Sequence, residues 1–221
     1  MPELIRVTDP AGGVARITLD RAEKRNALSI RLRDEVSDAL DALGGDDAVK
    51  VVVIAAAGDV FSAGFDLREF EQPELADELW ASSDRFHSTV LRFPLPLLAA
   101  VNGPALAGGF DLAVMCDIRV ASDTARFAHP EITFGDVVFG PLHDAVGGAV
   151  ARDLCFTGRV VEAAEAKTLG LVSSVVPRPE LDAEVSRFTD HIARASRDVL
   201  LRTKAKAIRR AGVVGEATLD L

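Results

Sequence analysis

The chain has 221 residues, of which 48% are hydrophobic and 27% are charged, so its length and composition fit one ordinary domain with a packed core. Its formal net charge of −9 argues against a nucleic-acid surface, which needs a basic face, and it has no tyrosine and one tryptophan for stacking on bases. A small anionic ligand stays possible, because such a ligand needs only a local basic cluster or a helix N-terminus.

The cysteine spacing and the apolar runs indicate a cytoplasmic, reducing location. Cys116 and Cys155 lie in apolar helical contexts without metal or redox spacing, so we expect two buried thiols. No apolar run approaches the ~20 residues of a membrane span. Residues 1–13 carry acidic side chains and lack the apolar segment of a secretory signal. We therefore predict no membrane partner and no metal.

The N-terminal half alternates strand and helix patterns. Residues 4–7 and 14–19 alternate apolar and polar side chains around a turn and predict a hairpin. Ser29 is placed to cap a helix that ends at Gly44 and Gly45. Residues 51–57 form a continuous apolar run typical of a buried strand, and residues 73–93 predict a second helix.

The second half continues the same alternation. A strand is predicted at 97–101, a turn at 102–104, a helix at 111–115 and a strand at 118–121. The remaining predictions are helices at 145–157 and 162–169, a strand at 171–176, and helices at 181–196 and 198–211. This order indicates an α/β fold with mostly parallel strands and right-handed crossovers.

Two strands of this pattern are each followed by a loop of small residues. Gly108 and Gly109 precede a predicted helix, where a backbone without side chains presents N–H donors. Ser62, Ala63 and Gly64 follow the strand at 51–57 in the same way. Each loop is either an ordinary turn or the source of one N–H group for an oxygen that becomes an oxyanion.

Three motifs together carry a family resemblance: VFSAGFDLREF at 60–70, AAVNGPALAGGFDLAVMCDIRVAS at 99–122 and FAHPEITFG at 127–135. In order and spacing they resemble the crotonase superfamily, the enoyl-CoA hydratase/isomerase group. The resemblance implies a crotonase-like ββα superhelix over residues 1–180 and a helical C-terminal part, shortened here, over 181–221. It also implies a role in fatty acid metabolism, an acyl-CoA thioester as substrate without a separate cofactor, and assembly as a homotrimer or hexamer.

By the same resemblance, the backbone N–H groups of Phe65 and Gly108 form an oxyanion hole, and Asp111 and Glu131 are the acid–base pair. Phe65 replaces a residue that is commonly small in the family, so its ring should fill space near the acyl pocket. The resemblance further implies a set of CoA-binding residues in two loops: Lys24, Arg25, Ala27, Leu28, Ala63, Asp66 and Leu67.

The departures from the family pattern leave the reaction open. Hydratases of the family have glutamate where this chain has Asp111, whereas dienoyl-CoA isomerases have aspartate there and a third acid near the position of Phe139. Asp136 and Asp144 lie near that position. Isomerases of the family that move a single double bond can act with the second glutamate alone, which is Glu131 here. Two further alternatives are an acyl-CoA-binding protein without activity and a subunit that supports another crotonase.

Other polar residues have plainer interpretations. The segment 135–144, GDVVFGPLHD, resembles a shortened form of a glycine-rich loop that shapes the acyl pocket. We expect His87, His129 and His143 to be isolated histidines without a catalytic role, and Asp117 to be structural. Asp111 could instead satisfy N–H groups at its helix N-terminus, and Glu131 could be a solvated loop residue.

Overall fold

A computed structural model describes residues 3–211, in which a six-stranded sheet forms the centre. Its strands in chain order are β1 (Ile5–Ala11), β2 (Val14–Leu19), β3 (Val51–Ala56), β4 (Leu97–Val101), β6 (Ile118–Ser122) and β9 (Ser174–Val176), and they lie side by side in this order. β1 and β2 form an antiparallel hairpin, and every later pair is parallel. Parallel strands covered on both faces explain the continuous apolar runs of β3 and β4.

A second, three-stranded sheet consists of short strands at the carboxyl end of this arrangement. They are β5 (Ala105–Leu106), β7 (Arg126–Ala128) and β8 (Val161–Glu162), with β7 between the other two. These strands were not predicted, because two or three residues are too few to show a period of two. The pairing of β5 with β7 brings the segments that follow them together.

Nine α-helices cover the sheets within the described part of the chain. They are α1 (Ile30–Gly45), α2 (Leu67–Phe70), α3 (Ala76–Arg92), α4 (Gly108–Met115), α5 (Gly140–Val146), α6 (Gly148–Thr157), α7 (Ala163–Thr168), α8 (Leu181–Ala193) and α9 (Arg197–Ala211). The main core lies between the large sheet and α1, α3 and α4, and α8 covers a smaller cluster around Leu98 and Val120 on the opposite face. Across residues 3–211, no helix has the length and apolar character needed to cross a membrane.

Most of the predicted elements are confirmed, with three corrections. The Ser29 hydroxyl caps α1 by accepting from the amide of Leu32 at 3.3 Å, as expected. The single helix predicted at 145–157 is wrong, since Gly147, with φ of 79°, separates α5 from α6. α5 begins at Gly140, so part of the predicted 135–144 loop is helical. The strand predicted at 171–176 begins only at Ser174.

The C-terminal helix is fixed by an ion pair between a buried lysine and a more exposed aspartate. Lys204 of α9, 6% exposed, lies 2.6 Å and 2.7 Å from the two carboxylate oxygens of Asp117. Asp117 also accepts a hydrogen bond from the amide of Leu97 at 2.8 Å, which matches the structural role expected for it. The final residues of the chain, 212–221, lie outside the described residues, and the division into two parts at residue 180 stays a prediction.

Candidate active site

A chain of hydrogen bonds holds the loop after β3. The Asn26 side-chain nitrogen donates to the carbonyls of Ala57 and Val60, and its backbone carbonyl accepts from the Ser62 hydroxyl at 2.9 Å. The Ser62 oxygen accepts in turn from the amide of Gly64 at 3.2 Å. The Gly64 amide is therefore occupied, and the next one, of Phe65, points to no acceptor among residues 3–211.

The second loop joins β5 to α4. The amide of Leu106 donates to the carbonyl of Ser62 at 3.0 Å, and that of Ala107 donates to the carbonyl of Ala128 at 3.0 Å. Ala107 has φ of 50° and ψ of −132°, which a residue with a side chain rarely adopts, and this turn leads directly into the helix. Gly108 is the first residue of α4, so its N–H has no partner within the helix.

The two loops touch at glycines. A Cβ on Gly64, whose φ is +89°, would lie 2.7 Å from the Cβ of Ala107 and 3.1 Å from the nitrogen of Gly108. A Cβ on Gly109 would lie 2.5 Å from the carbonyl oxygen of Ser62. The close contact needs glycine at these points, and it brings the unpaired amides of Phe65 and Gly108 onto neighbouring loops. An oxyanion hole needs two such N–H groups directed at one oxygen, so these loops are candidates for it.

The Phe65 ring is fixed between Gly108 and Arg33. A Cβ on Gly108 would lie 2.8 Å from the ring, and the Arg33 guanidinium carbon lies 4.4 Å from its centroid on α1. Arg33 is fully buried and donates to the carbonyls of Leu28 and Leu79 at 2.8 Å and 3.0 Å. Burial lowers the pKa of Arg33 to about 10. The sequence carried a signal for this residue, since position 33 falls on the apolar face of α1 beside Leu32.

The acid end of the site combines three buried side chains. Asp111 lies in the first turn of α4 and Glu131 lies in a 3-10 turn at Pro130–Thr133, and they are 6% and 8% exposed. His129, at 0% exposure, lies between them. Its Nδ1 is 3.0 Å from Oε1 of Glu131 and 3.7 Å from Oδ1 of Asp111. The interpretation of Glu131 as a solvated loop residue is therefore wrong.

Burial controls the charge of this cluster. The pKa of Asp111 is raised to about 7, chiefly because burial disfavours the charged carboxylate; His129 lowers this pKa, and the charge of Glu131 raises it. Burial alone would lower the pKa of His129, but the hydrogen bond to Glu131 and the charges of Asp111 and Glu131 outweigh it and raise that pKa. The cluster can therefore hold and release protons near neutral pH.

Each of the three side chains also has a buried atom without a hydrogen-bond partner in the described structure. These atoms are Oδ1 of Asp111, Nε2 of His129 and Oε2 of Glu131. Leaving a buried polar atom unpaired costs about 1–3 kcal/mol, so such atoms concentrate where a ligand supplies the missing partner. Asp111 Oδ1 is thus not satisfied by amides of its own helix.

A cavity of about 370 Å³ adjoins the acid end. It is lined by apolar side chains with two charged ones: Ile132, Asp136, Val137, Phe139, Arg152, Cys155 and Phe156. Burial, together with the charges of Asp111 and Glu131, raises the pKa of the Cys155 thiol to about 11. The segment 135–144 supplies Asp136, Val137 and Phe139 to this lining, and its role in shaping an acyl pocket stays a prediction.

The predicted CoA-binding residues occupy two adjacent segments. The amide of Ala63 donates to the carbonyl of Arg25, and that of Leu28 donates to the carbonyl of Gly64. Among residues 3–211, Lys24 and Arg25 form no ion pair, and Arg25 is exposed. The remaining members of the set lie alongside: Ala27, Asp66 and Leu67.

Asp66 is already engaged within the protein. Its carboxylate accepts from the amide of Arg68 at the start of α2, and it lies 2.8 Å from Arg21. Arg21 also donates to the carbonyl of Ala27 and so links the two segments. The exposed Leu67, at 61%, forms the outer edge of this region.

The histidine predictions require correction. His143 is exposed, as expected for an isolated loop histidine, but His129 and His87 are buried. Sequence reasoning missed His129 because one partner, Asp111, is distant in the chain. The other, Glu131, is two residues away, but the sequence does not show the turn that brings the two side chains together. Asp111, His129 and Glu131 also have the spacing of metal ligands, with one atom from each within 4.8 Å of the others. That no metal takes part stays a prediction.

Comparison with known proteins places this geometry in a family. A model of the enoyl-CoA hydratase/isomerase family matches residues 9–219. A probable enoyl-CoA hydratase of Rhizobium meliloti is 39% identical over 209 residues, which are 92% of this chain and 80% of the relative. A putative enoyl-CoA hydratase of Thermus thermophilus is 39% identical over 204 residues, with 87% and 79% covered.

Solved structures agree with the sequence relatives. The enoyl-CoA hydratase of Bacillus anthracis matches with a TM-score of 0.89 at 30% identity, covering 95% of this chain and 84% of that one. Human enoyl-CoA hydratase domain-containing protein 3 matches with a TM-score of 0.85 at 34% identity, covering 94% and 84%. The fold is therefore that of the crotonase superfamily. Within it, the chain belongs to the enoyl-CoA hydratase/isomerase family and is an enzyme of that type.

Proposed function

We propose that this enzyme stabilises the enolate of an acyl-CoA thioester and either hydrates a 2-enoyl-CoA or moves its double bond. The observation that supports this most is the pairing of unpartnered groups of opposite kind: two amide N–H donors at Phe65 and Gly108, and two buried carboxylate oxygens on Asp111 and Glu131. Donors suit an oxygen that gains negative charge, and carboxylates suit a proton in transit.

In the hydration reaction, the two amides bind the thioester oxygen, and a water molecule lies between the carboxylates. One carboxylate takes a proton from the water while the water oxygen bonds to Cβ. The electron pair of the double bond then moves through the conjugated system onto the thioester oxygen. The enolate then collapses as Cα takes a proton from the other carboxyl group. Two amides aimed at that oxygen contribute about 3–4 kcal/mol each to the transition state.

The isomerisation reaction needs the same amides and one carboxylate. Glu131 removes a proton from one carbon next to the enolate system and returns it two carbons further along. The short side chain of Asp111 favours this reaction over hydration. Its carboxylate is set back by one methylene, so it lies farther from a water bound between the two acids. The pocket of about 370 Å³ beside the acids is the proposed acyl site.

The test is turnover of crotonyl-CoA, followed by the loss of the enoyl thioester absorbance, for the wild type and Glu131→Gln. We expect the substitution to lower kcat by about 10²–10⁴-fold, the usual contribution of a general acid or base. Glu180→Gln, which changes an exposed glutamate, is the matched control and should leave kcat unchanged. Tight acyl-CoA binding without turnover in the wild type would contradict an enzymatic role on this substrate and favour a binding protein.

We also propose that the enzyme acts in fatty acid metabolism, in the cytoplasm, as a homotrimer or a dimer of trimers. The family resemblance supports the assembly, and the buried free thiols of Cys116 and Cys155 fit a reducing compartment. Size-exclusion chromatography with light scattering tests the assembly, and a stable monomer would contradict it.

A further inference from the structure

We propose that His129 is a positioning residue that holds Glu131 by one carboxylate oxygen and so reserves the other for the reacting proton. The inference rests on the proposed function, since it assigns the roles of individual atoms within that site. The observation behind it is that Oε1 of Glu131 is bonded to His129 while Oε2 is buried and unpartnered.

The imidazole ring has little freedom to move. It is completely buried, and the ring of Phe110, which precedes Asp111 in α4, lies 4.6 Å from it between centroids. On the backbone, the amide of Ala107 donates to the carbonyl of Ala128, immediately before His129. The loop that carries the Gly108 amide and the segment that carries His129 are therefore joined directly.

Nδ1 of His129 is the ring atom that lies near both carboxylates. Its hydrogen bond to Oε1 of Glu131 is 3.0 Å long, whereas Oδ1 of Asp111 is 3.7 Å away and outside hydrogen-bond distance. The titratable groups that act on the ring are Asp111 and Glu131. The ring thus fixes Glu131 while leaving Asp111 Oδ1 unpaired.

The hydrogen bond to His129 gives the Glu131 carboxylate a defined orientation. The Glu131 side chain has three rotatable bonds, and without a partner its carboxylate would sample several orientations. A hydrogen bond from a rigid ring selects one of them before substrate arrives. A displacement of about 1 Å in a reacting group costs about 10²-fold in rate, so the expected effect of losing this bond lies in kcat.

Two substitutions separate this role from simple packing. His129→Leu keeps an apolar side chain of moderate size and removes the donor, whereas His129→Asn places an amide N–H near the position of Nδ1. We expect His129→Leu to lower kcat for the enoyl-CoA substrate about 10²-fold with KM within twofold of the wild type. His129→Asn should recover at least tenfold of that loss. His143→Asn, at the exposed loop histidine, is the matched control.

Equal activity of His129→Leu and the wild type, or equal impairment of the Leu and Asn variants when both melt cooperatively, would overturn the proposal. A second measurement does not need turnover. In histidine-labelled protein, the Nδ1 proton of His129 should give a downfield NMR signal that disappears in His129→Asn and moves upfield in Glu131→Gln. If the wild type lacks turnover but the Nδ1 signal changes in both variants as expected, the proposed reaction fails while the contact stands. An Nδ1 signal that is unchanged in Glu131→Gln refutes the positioning role.

Discussion

The amide end and the acid end of the site are built in opposite ways. At the amide end, the groups proposed to bind the substrate are backbone N–H groups of Phe65 and Gly108, and their placement depends on two loops that touch at glycines. At the acid end, the groups are side chains on α4 and on a 3-10 turn, and one of them, Glu131, is held by a buried histidine. The first end requires the absence of side chains, and the second requires specific ones.

The two ends also differ in their response to pH. Backbone amides do not titrate in the physiological range, so the amide end keeps its donors at any pH at which the protein is folded. The acid end contains Asp111, whose pKa burial raises to about 7, and His129, whose pKa is also raised. Geometry alone should therefore control the first end, whereas geometry and protonation together should control the second.

The largest effect on the amide end is expected from Gly109→Ala. The new Cβ would lie 2.5 Å from the Ser62 carbonyl oxygen and 2.7 Å from the Ser62 Cβ, so the two loops must separate. We expect the free energy of unfolding to fall by about 1–3 kcal/mol, as for other overpacked sites. We expect kcat to fall about 10²-fold, the loss that follows removal of one oxyanion donor.

The matched control is Gly45→Ala, at the last residue of α1, where a new Cβ has open space within 4 Å and φ is not positive. It should leave kcat unchanged and alter stability by less than about 1 kcal/mol. Activity measurements and denaturant unfolding on both variants test this pair. A destabilised Gly109→Ala enzyme with full kcat would show that the loop contact serves folding alone.

Asp111→Asn tests the pH sensitivity of the acid end. The pKa of Asp111 rises from 3.8 in the unfolded reference to about 7 in the folded protein, so the folded state binds the proton more tightly. Its contribution is therefore favourable at low pH and is lost as pH rises from about 4 to about 7. Each pKa unit corresponds to about 1.4 kcal/mol, so the variant should remove a few kcal/mol of this decline.

Urea unfolding between pH 5 and pH 8 measures the effect, with Asp190→Asn, at an exposed position of α8, as the control. His129 acts in the same direction, since its raised pKa also makes stability fall as pH rises through the folded value. A decline that persists above pH 6.5 in Asp111→Asn is therefore assigned to His129. Parallel stability curves for the wild type and the variant would refute a raised pKa at Asp111.

The sequence predicted the large elements well because their signals are local. The Ser29 cap, the apolar face of α1 and the continuous apolar runs at 51–57 and 97–101 each lie within one segment, and the observed elements follow them closely. The break between α5 and α6 was missed because a glycine inside an apolar pattern does not by itself reveal a positive φ at Gly147.

The site divides in the same way. The loops at 62–65 and 106–109 were found from their small residues, because glycine is needed where two backbones touch. His129 was missed because its role comes from contacts between elements, such as the packing of Phe110 of α4 against the His129 ring. Arg33 was missed although its position on the apolar face of α1 gave a local signal. A histidine two residues before Glu131 shows no periodicity, and nothing local in the sequence gives the turn that directs both side chains to one point.

The smallest effect is expected where neither end is touched. The double substitution Lys24→Ala and Arg25→Ala removes two cations that form no ion pair within residues 3–211, beside the loop that carries Phe65. If they bind the CoA phosphates, each exposed contact contributes at most about 1 kcal/mol, so KM should rise roughly fivefold per charge with kcat unchanged. The rise should shrink at high salt, where such contacts are screened.

Lys206→Ala, on the exposed side of α9, is the control. A fall in kcat at constant KM would mean instead that these residues act through the amide end, because the Arg25 carbonyl accepts from the Ala63 amide two residues before Phe65.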